Sequence, residues 1–157
     1  MTRDIRPAGP ADRDAMAGIL NRIIRAGGLT ARTRPVSAEE IGDWMRTAGD
    51  RSAWHVVARA DGAIRGVQWI APHPELPPEA CDIATFVSLA ERGRGLGTAL
   101  LQVTLEAARE RDYGWINACV RRDNAGARAF YGSRGFVHWR DWPDAPVAPR
   151  ILMRRDL

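Results

Sequence analysis

Residues 81–108, CDIATFVSLAERGRGLGTALLQVTLEAA, join three different patterns in one continuous stretch. The beginning is apolar and rich in β-forming residues, which predicts a strand. The end places leucines at positions 96, 100, 101 and 105, the spacing of one helix face. Between the strand and the helix stands a turn of glycines and arginines: Arg92, Gly93, Arg94, Gly95 and Gly97.

A strand followed by a glycine turn and a helix can bind an anion at the start of the helix. The first amides of a helix have no partner within the helix, and the helix dipole adds positive potential at that end. Glycines let the backbone approach a ligand closely, and phosphate groups bind at such places. Arg92 and Arg94 add donors for charge-assisted hydrogen bonds to phosphate oxygens. The stretch therefore predicts a phosphate site.

Two familiar phosphate motifs do not match this turn. A P-loop requires a lysine after its last glycine, and the chain contains no lysine. The dinucleotide fingerprint requires Gly-x-Gly-x-x-Gly near the start of a βαβ unit. Here the spacing is Gly-x-Gly-x-Gly and the motif lies deep in the chain, so both interpretations fail.

Length and composition predict one globular domain over residues 1–157. The chain is 45% hydrophobic and 27% charged, with no apolar run long enough to span a bilayer. The first residues lack the apolar core of a signal peptide, so we expect a cytoplasmic protein that does not bind membranes. The net charge is +4, but the basic residues are all arginine and are scattered. This distribution favours a polyanionic cofactor over nucleic acid.

The rest of the chain alternates strand and helix patterns. Predicted strands cover 3–5, 54–60, 63–71, 81–89, 113–120, 136–140 and 151–155, and predicted helices cover 11–25, 38–48, 96–111 and 124–134. Ser37 with Glu40 forms a capping box before the second helix. The order predicts an α/β (α+β) fold with a mixed, mostly antiparallel sheet of about seven strands, with parallel pairing in its second half.

The run Arg92-Gly93-Arg94-Gly95-Leu96-Gly97 resembles the coenzyme A loop of the GNAT superfamily of acetyl-CoA-dependent N-acetyltransferases, and the element order resembles that fold. The opening Ile5-Arg-Pro-Ala and the helices containing Asn21 and Trp44 resemble the phosphinothricin acetyltransferases. The resemblance implies acetyl-CoA as cosubstrate, no metal, and a homodimer. It also implies that the pyrophosphate contacts Arg92, Gly93, Arg94, Gly95, Gly97 and Thr98. Glu91 could contact the phosphates as well, but we expect it to point to solvent.

A second signature begins at Asn124 and ends in Phe130-Tyr131-x-x-x-Gly135-Phe136. It resembles the family's later motif, in which the asparagine contacts the pantetheine arm and the tyrosine protonates the departing thiolate. A phenol is protonated at neutral pH and can donate. The spacing also fits an N-cap for Asn124 and a core aromatic for Tyr131.

Asp82 is the only carboxylate within the predicted central strand. Acetyl transfer to an amine requires the free base, and a nearby carboxylate can take the proton, so Asp82 is a candidate general base. The phosphinothricin acetyltransferases carry glutamate at this place. Because aspartate is one methylene shorter, both direct proton abstraction and a water relay remain open, as does a purely structural hydrogen bond.

Further contacts follow from the resemblance alone. In the family the central strand separates from the next one, and amides around Val87 and Leu89 hold the pantetheine and the thioester carbonyl. Phe86 and His73 are candidates for the acceptor pocket. These expectations combine into transfer of acetyl from acetyl-CoA directly to a small primary amine, such as an amino acid. The alternatives are an acetyltransferase acting on protein amines and a non-catalytic acyl-CoA-binding module.

Overall fold

A computed structural model describes residues 4–157 of the chain. Its strands are β1 Asp4–Pro7, β2 Ala53–Ala58, β3 Ile64–Ala71, β4 Ala80–Val87, β5 Trp115–Arg121, β6 Val137–Trp142 and β7 Arg150–Asp156. Its α-helices are α1 Arg13–Ala26, α2 Ala38–Ala48, α3 Leu96–Glu110 and α4 Ala125–Gly132. The predicted opening strand is present from Asp4, while its first residue, Arg3, lies outside the described residues.

The seven strands form one mixed sheet in the order β1-β2-β3-β4-β5-β7-β6. Each neighbouring pair is antiparallel except β4 and β5, which are parallel. A parallel pair needs a crossover connection, and α3 provides it. The predicted fold class, the element order and the parallel crossover in the second half of the chain are confirmed.

The two helix pairs cover opposite faces of the sheet. The α1–α2 pair packs on Trp54, Val56 and Val67, which belong to one buried cluster. The opposite cluster joins α3 and α4 to β4, β5 and β7. Alternation along each strand produces this division, because successive side chains of a strand point to opposite faces.

The helix ends follow the predicted capping chemistry more closely than the strand ends follow the apolar pattern. Ser37 accepts a hydrogen bond of 3.1 Å from the backbone amide of Glu40. Phe136, expected in β6, is instead a core residue that is only 2% exposed, and β6 begins at Val137. Among residues 4–157, no helix combines the length and apolarity that crossing a bilayer requires.

Candidate active site

The centre of the sheet opens where β4 and β5 separate. Their parallel pairing runs from Ala80↔Trp115 to Ile83↔Ala118, and then stops. Both strands continue beyond this point, to Val87 and Arg121. The separation leaves a gap between the C-terminal halves of two central strands, as the resemblance implied.

Backbone amides of β4 line one side of this gap. Ser88 donates from its backbone amide to the Arg65 carbonyl on β3 at 2.8 Å. Because amides along a strand alternate in direction, those of Phe86 and Ala84 also face β3. The amides of Thr85 and Val87 therefore face the gap.

A cavity of about 660 Å³ occupies the gap and extends to the start of α3. Asp82 and Tyr131 both line it. Further lining residues come from strands β3 and β4, the glycine turn, the segment after α1, the ends of β5 and β7, and the N-cap of α4: Leu29, Thr30, Ala31, Arg32, Trp69, Phe86, Val87, Glu91, Arg92, Gly93, Gly95, Gly97, Thr98, Cys119, Arg121, Asn124 and Arg150. Most of the predicted site residues thus surround one volume.

The glycine turn has the geometry of an anion site. Gly93 and Gly95 have φ values of +76° and +77°, which side-chain-bearing residues rarely adopt. The first helical hydrogen bond of α3 runs from the Ala99 amide to the Gly95 carbonyl, at 3.0 Å. The amides of residues 96–98 precede that bond, so they remain at the positive end of the helix dipole beside the cavity.

Gly97 has a different role from the other glycines of the turn. A β-carbon at this position would lie 2.8 Å from Cε1 of Phe130 on α4. The missing side chain therefore lets the start of α3 pack against α4. Arg134 stacks on the Phe130 ring at 4.2 Å and donates from Nε to the Thr98 hydroxyl at 2.7 Å, which joins the same two helices.

Glu91 faces the protein interior, which corrects the expectation that it points to solvent. Its carboxylate is 8% exposed and accepts from Arg59 at 2.9 Å. Arg94 and Arg65 lie 3.6 Å and 3.9 Å from the same carboxylate. Local sequence patterns do not indicate this cluster, because Arg59 and Arg65 belong to the β2–β3 hairpin, far from Glu91 along the chain. Glu91 ties that hairpin to the glycine turn.

Asp82 lies one ladder step before the strands separate. Its carboxylate accepts a hydrogen bond of 2.9 Å from the side-chain amide of Asn117, its neighbour on β5. Asn117 in turn accepts from the Trp139 indole at 2.9 Å. Burial raises the pKa of Asp82, while the Asn117 hydrogen bond and the charge of His73 act in the opposite direction. A carboxylate with a raised pKa is a better proton acceptor.

Tyr131 reaches the cavity from the opposite face of the sheet. Its side chain is buried, and its hydroxyl lies 2.9 Å from the Thr85 hydroxyl on β4. Burial raises the pKa of Tyr131 to about 12, so the phenol keeps its proton throughout the neutral range. The ring packs edge-on against Phe130 and Phe136, which fixes its position.

Asn124 caps α4 and also anchors a distant segment. Its carbonyl oxygen accepts from the Ala127 amide at 3.0 Å, and its amide donates to the Leu29 carbonyl at 3.1 Å. Arg121 donates to the neighbouring Thr30 carbonyl at 3.2 Å. These contacts hold the segment after α1 against the cavity.

Three predicted site residues lie outside the cavity lining: Leu89, Arg94 and His73. Leu89 is 39% exposed in the 3-10 turn after β4, and Arg94 turns toward Glu91. His73 is exposed in the proline loop, where its Nδ1 accepts from the Glu75 amide at 3.1 Å. Conversely, Arg150 lines the cavity, and Gln68 and Asn117 donate hydrogen bonds to the lining residues Thr85 and Asp82. Sequence patterns did not indicate them, because cross-strand neighbours depend on register.

Within the described part of the chain, no group of three or more histidine, cysteine, aspartate or glutamate side chains is placed to hold a metal ion.

The known proteins that this chain resembles in sequence and fold include several acetyltransferases. The chain is 24% identical over 136 residues to phosphinothricin N-acetyltransferase of Streptomyces viridochromogenes, covering 85% of this chain and 74% of that protein. It is 35% identical over 106 residues to the N-alpha-acetyltransferase RimI of Mycobacterium tuberculosis, covering 65% of each. Its fold matches a GNAT superfamily phosphinothricin acetyltransferase of Sinorhizobium meliloti, solved in complex with acetyl-CoA, with a TM-score of 0.89 and 19% identity over 100% of this chain and 89% of that one.

The family itself is established by a match over most of the chain. Residues 25–136 match the model of the Acetyltransferase (GNAT) family, a range that contains the strand gap, the glycine turn and both candidate catalytic residues. The chain belongs to the GNAT family of acetyltransferases.

Proposed function

We propose that this protein transfers acetyl from acetyl-CoA directly to the primary amine of a small molecule that also carries an acidic group. The observation that carries the proposal is the placement of Asp82 and Tyr131 on the two faces of one gap whose edge consists of backbone amides. A base and an acid on opposite sides of a reacting carbonyl suit direct transfer without a covalent enzyme intermediate.

The coenzyme would lie along the glycine turn and enter the gap. The amides of residues 96–98 and Arg92 would hold the pyrophosphate, and the exposed backbone edge of β4 would hold the pantetheine arm. Leu89 and Arg94 do not line the cavity, so they would affect coenzyme binding only by holding the glycine turn in place. A non-catalytic binding module would not need the pair Asp82 and Tyr131.

The bound coenzyme supplies an acetyl thioester, whose carbonyl carbon the amine attacks. Asp82 accepts the proton of the attacking nitrogen, directly or through one water. The Val87 amide donates to the carbonyl oxygen as negative charge develops there. Tyr131 gives its hydroxyl proton to the sulfur as the carbon–sulfur bond breaks, and solvent restores that proton.

Neither cysteine is suited to act as a nucleophile. Burial raises the pKa of Cys81 to about 12 and also raises the pKa of Cys119. Thiolate is the reactive form, so both thiols are poorly nucleophilic at neutral pH. This supports direct transfer to the amine.

Arg150 supports an acceptor that carries an anionic group. Its guanidinium stacks over the Trp142 ring at 4.7 Å and donates to the Pro146 carbonyl at 3.0 Å. Its Nε is buried without a hydrogen-bond partner, and among residues 4–157 Arg150 has no ion-pair partner. A guanidinium that is held in place in a cavity but has no carboxylate partner among the described residues is a strong site for a ligand carboxylate.

Arg150 and Asp82 lie beside neighbouring same-face positions of β5. Asp82 pairs with Asn117, and Cys119 lies two residues further along β5, about 7 Å away. Nη1 of Arg150 lies 3.9 Å from the Cys119 sulfur. An amino acid that binds Asp82 through its nitrogen and Arg150 through its carboxylate would lie along this wall of the cavity, with one hydrogen bond of about 2.8 Å at each end.

A free-thiol release assay tests this function. It would use acetyl-CoA with matched pairs of amines, each pair being an amino acid and the amine that lacks its carboxylate. We expect turnover with at least one amino acid and a clear loss for its decarboxylated partner. Turnover only with peptide N-termini would favour the alternative suggested by the similarity to RimI. No turnover and no thermal stabilisation by acetyl-CoA would overturn the proposal.

We also propose a cytoplasmic homodimer. Both cysteines are free thiols, which suits a reducing compartment. Strand β6 is an outer strand of the sheet, and all six of its residues are exposed, so it is available for pairing. Light scattering should give twice the chain mass of 17.3 kDa, and the mass of a single chain would contradict the dimer.

A further inference from the structure

Three side chains form a line of hydrogen bonds that ends at the candidate acid. The Gln68 side-chain amide on β3 donates to the Thr85 hydroxyl on β4 at 2.9 Å. The same hydroxyl lies 2.9 Å from the Tyr131 hydroxyl on α4. Gln68 and Thr85 are direct cross-strand partners, so the line is built into the register of the sheet.

We assign the direction of these bonds by donor accounting, because either hydroxyl could donate at the observed distance. The Thr85 oxygen already accepts from Gln68, which offers it an N–H. The Thr85 proton needs an acceptor, and the acceptor that the structure places within reach is the Tyr131 oxygen. When Thr85 donates in this hydrogen bond, the hydroxyl proton of Tyr131 takes no part in it. The proton of Tyr131 is then directed away from Thr85, toward the gap.

Gln68 occupies its position at a cost in stability. It is 0% exposed, and its carbonyl oxygen is buried without a partner among the described residues. An unsatisfied buried acceptor costs about 1–3 kcal/mol. A buried glutamine that leaves one group unpaired while holding Thr85 is better explained by orientation of the hydroxyl than by support of the fold.

We propose that Gln68 and Thr85 are positioning residues that orient the Tyr131 proton toward the departing sulfur. Gln68 fixes the rotation of the Thr85 hydroxyl, and Thr85 donates to the phenol oxygen. When Tyr131 gives up its proton, the Thr85 hydrogen bond remains on the phenolate and stabilises it. This inference rests on the proposed function, because it assumes that Tyr131 acts as the acid.

The first test is a double-mutant cycle on kcat. Thr85→Val keeps the side-chain shape but removes the hydroxyl, and we expect kcat to fall about tenfold, a part of the 10²–10⁴-fold that general acid catalysis supplies. The KM for acetyl-CoA should stay unchanged, and Thr85→Ser should restore turnover. In a Tyr131→Phe background, Thr85→Val should have no further effect. Additive losses in the cycle would overturn the inference.

Gln68→Met separates a positioning role from a structural one. Methionine fills a similar volume without a donor or an unpaired carbonyl, so we expect Tm to stay level or rise while kcat falls severalfold. A lower Tm with unchanged kcat would show that Gln68 only supports the fold, and it would overturn the proposal.

A spectroscopic readout keeps this test independent of the acceptor. The chain has two tyrosines, so a Tyr113→Phe protein labelled at tyrosine Cζ gives one ¹³C resonance, from Tyr131. We expect Thr85→Val to shift that resonance and Thr85→Ser to return it. An unmoved resonance would overturn the inference even in an active enzyme. If the wild-type chain acetylates no amine, the proposed function fails and the catalytic role of this line fails with it, whereas additive kinetics in an active enzyme overturn the inference alone.

Discussion

Asn117 donates a hydrogen bond of 2.9 Å to the Asp82 carboxylate, one ladder step before β4 and β5 separate. The pairing of these two strands therefore places the candidate base at the entrance of the gap. The same bond opposes the effect of burial on Asp82, because it favours the ionised carboxylate. Asn117 thus lowers the pKa of the proposed base, against the effect of burial.

Removing that donor should move the acidic limb of the pH profile. Asn117→Ala leaves burial as the dominant influence on Asp82, so the pKa of Asp82 should rise further. The proposed mechanism requires the ionised carboxylate, so the acidic limb of kcat/KM should shift to higher pH by about 0.5–1 unit, the size of one lost hydrogen bond. Trp139→Phe, which removes only the donor to Asn117, serves as the control and should shift the limb less. A shift to lower pH would contradict the role of Asn117.

Asp82→Asn should stabilise the fold near neutral pH. The pKa of Asp82 is raised on folding, so the stability that its neutral form contributes is present below the unfolded pKa and is lost as pH rises through the folded pKa. Asparagine keeps a carbonyl acceptor for Asn117 without the buried charge. A gain of about 1 kcal/mol would raise Tm by about 2–4 °C in a chain of this size. The gain should shrink as the pH is lowered, and a constant or reversed difference would argue against it.

Gly97→Ala should weaken coenzyme binding by disturbing the contact between α3 and α4. The new methyl group would meet Phe130 at 2.8 Å, and overpacking of this kind costs about 1–3 kcal/mol. We expect a lower Tm and a higher KM for acetyl-CoA. Gly18→Ala in α1 is the matched control, because no atom lies within 4 Å of its added β-carbon and alanine favours a helix. Equal effects of the two substitutions would refute the packing argument.

Glu91→Gln should loosen the glycine turn. The substitution removes the charge that Arg59, Arg65 and Arg94 share, and these arginines are partly exposed, so solvent screening limits the loss to about 1–2 kcal/mol. Urea unfolding would measure that loss, and the KM for acetyl-CoA should rise because the turn is no longer tied to the hairpin. A variant with unchanged stability and KM would contradict a role for Glu91 in holding the turn.

Arg150→Gln should affect the acceptor and spare the coenzyme. Loss of a charge-assisted contact to the acceptor carboxylate should raise the acceptor KM by at least about tenfold, since such a bond contributes about 1.5–3 kcal/mol. Arg154→Gln, on the same strand but outside the cavity lining, is the control. Equal KM values for the two variants would remove Arg150 from the acceptor site.

The sequence predicted the fold well because its signals are local. Apolar periodicity, the Ser37 cap and the glycine turn each act within a few residues, and together they determine the element order. The positions of Gln68 and Asn117 depend on cross-strand register, which local patterns do not encode. Glu91 was misjudged for the same reason, since its main partner, Arg59, comes from a distant hairpin.

The most direct test of the central claim is the turnover of Asp82→Asn measured together with its affinity for acetyl-CoA. With an acceptor that the wild-type chain acetylates, we predict that kcat falls by about 10²–10⁴-fold while the Kd for acetyl-CoA stays the same. Turnover within about threefold of the wild type, with the coenzyme still bound, would contradict Asp82 as the base and the direct-transfer account built on it.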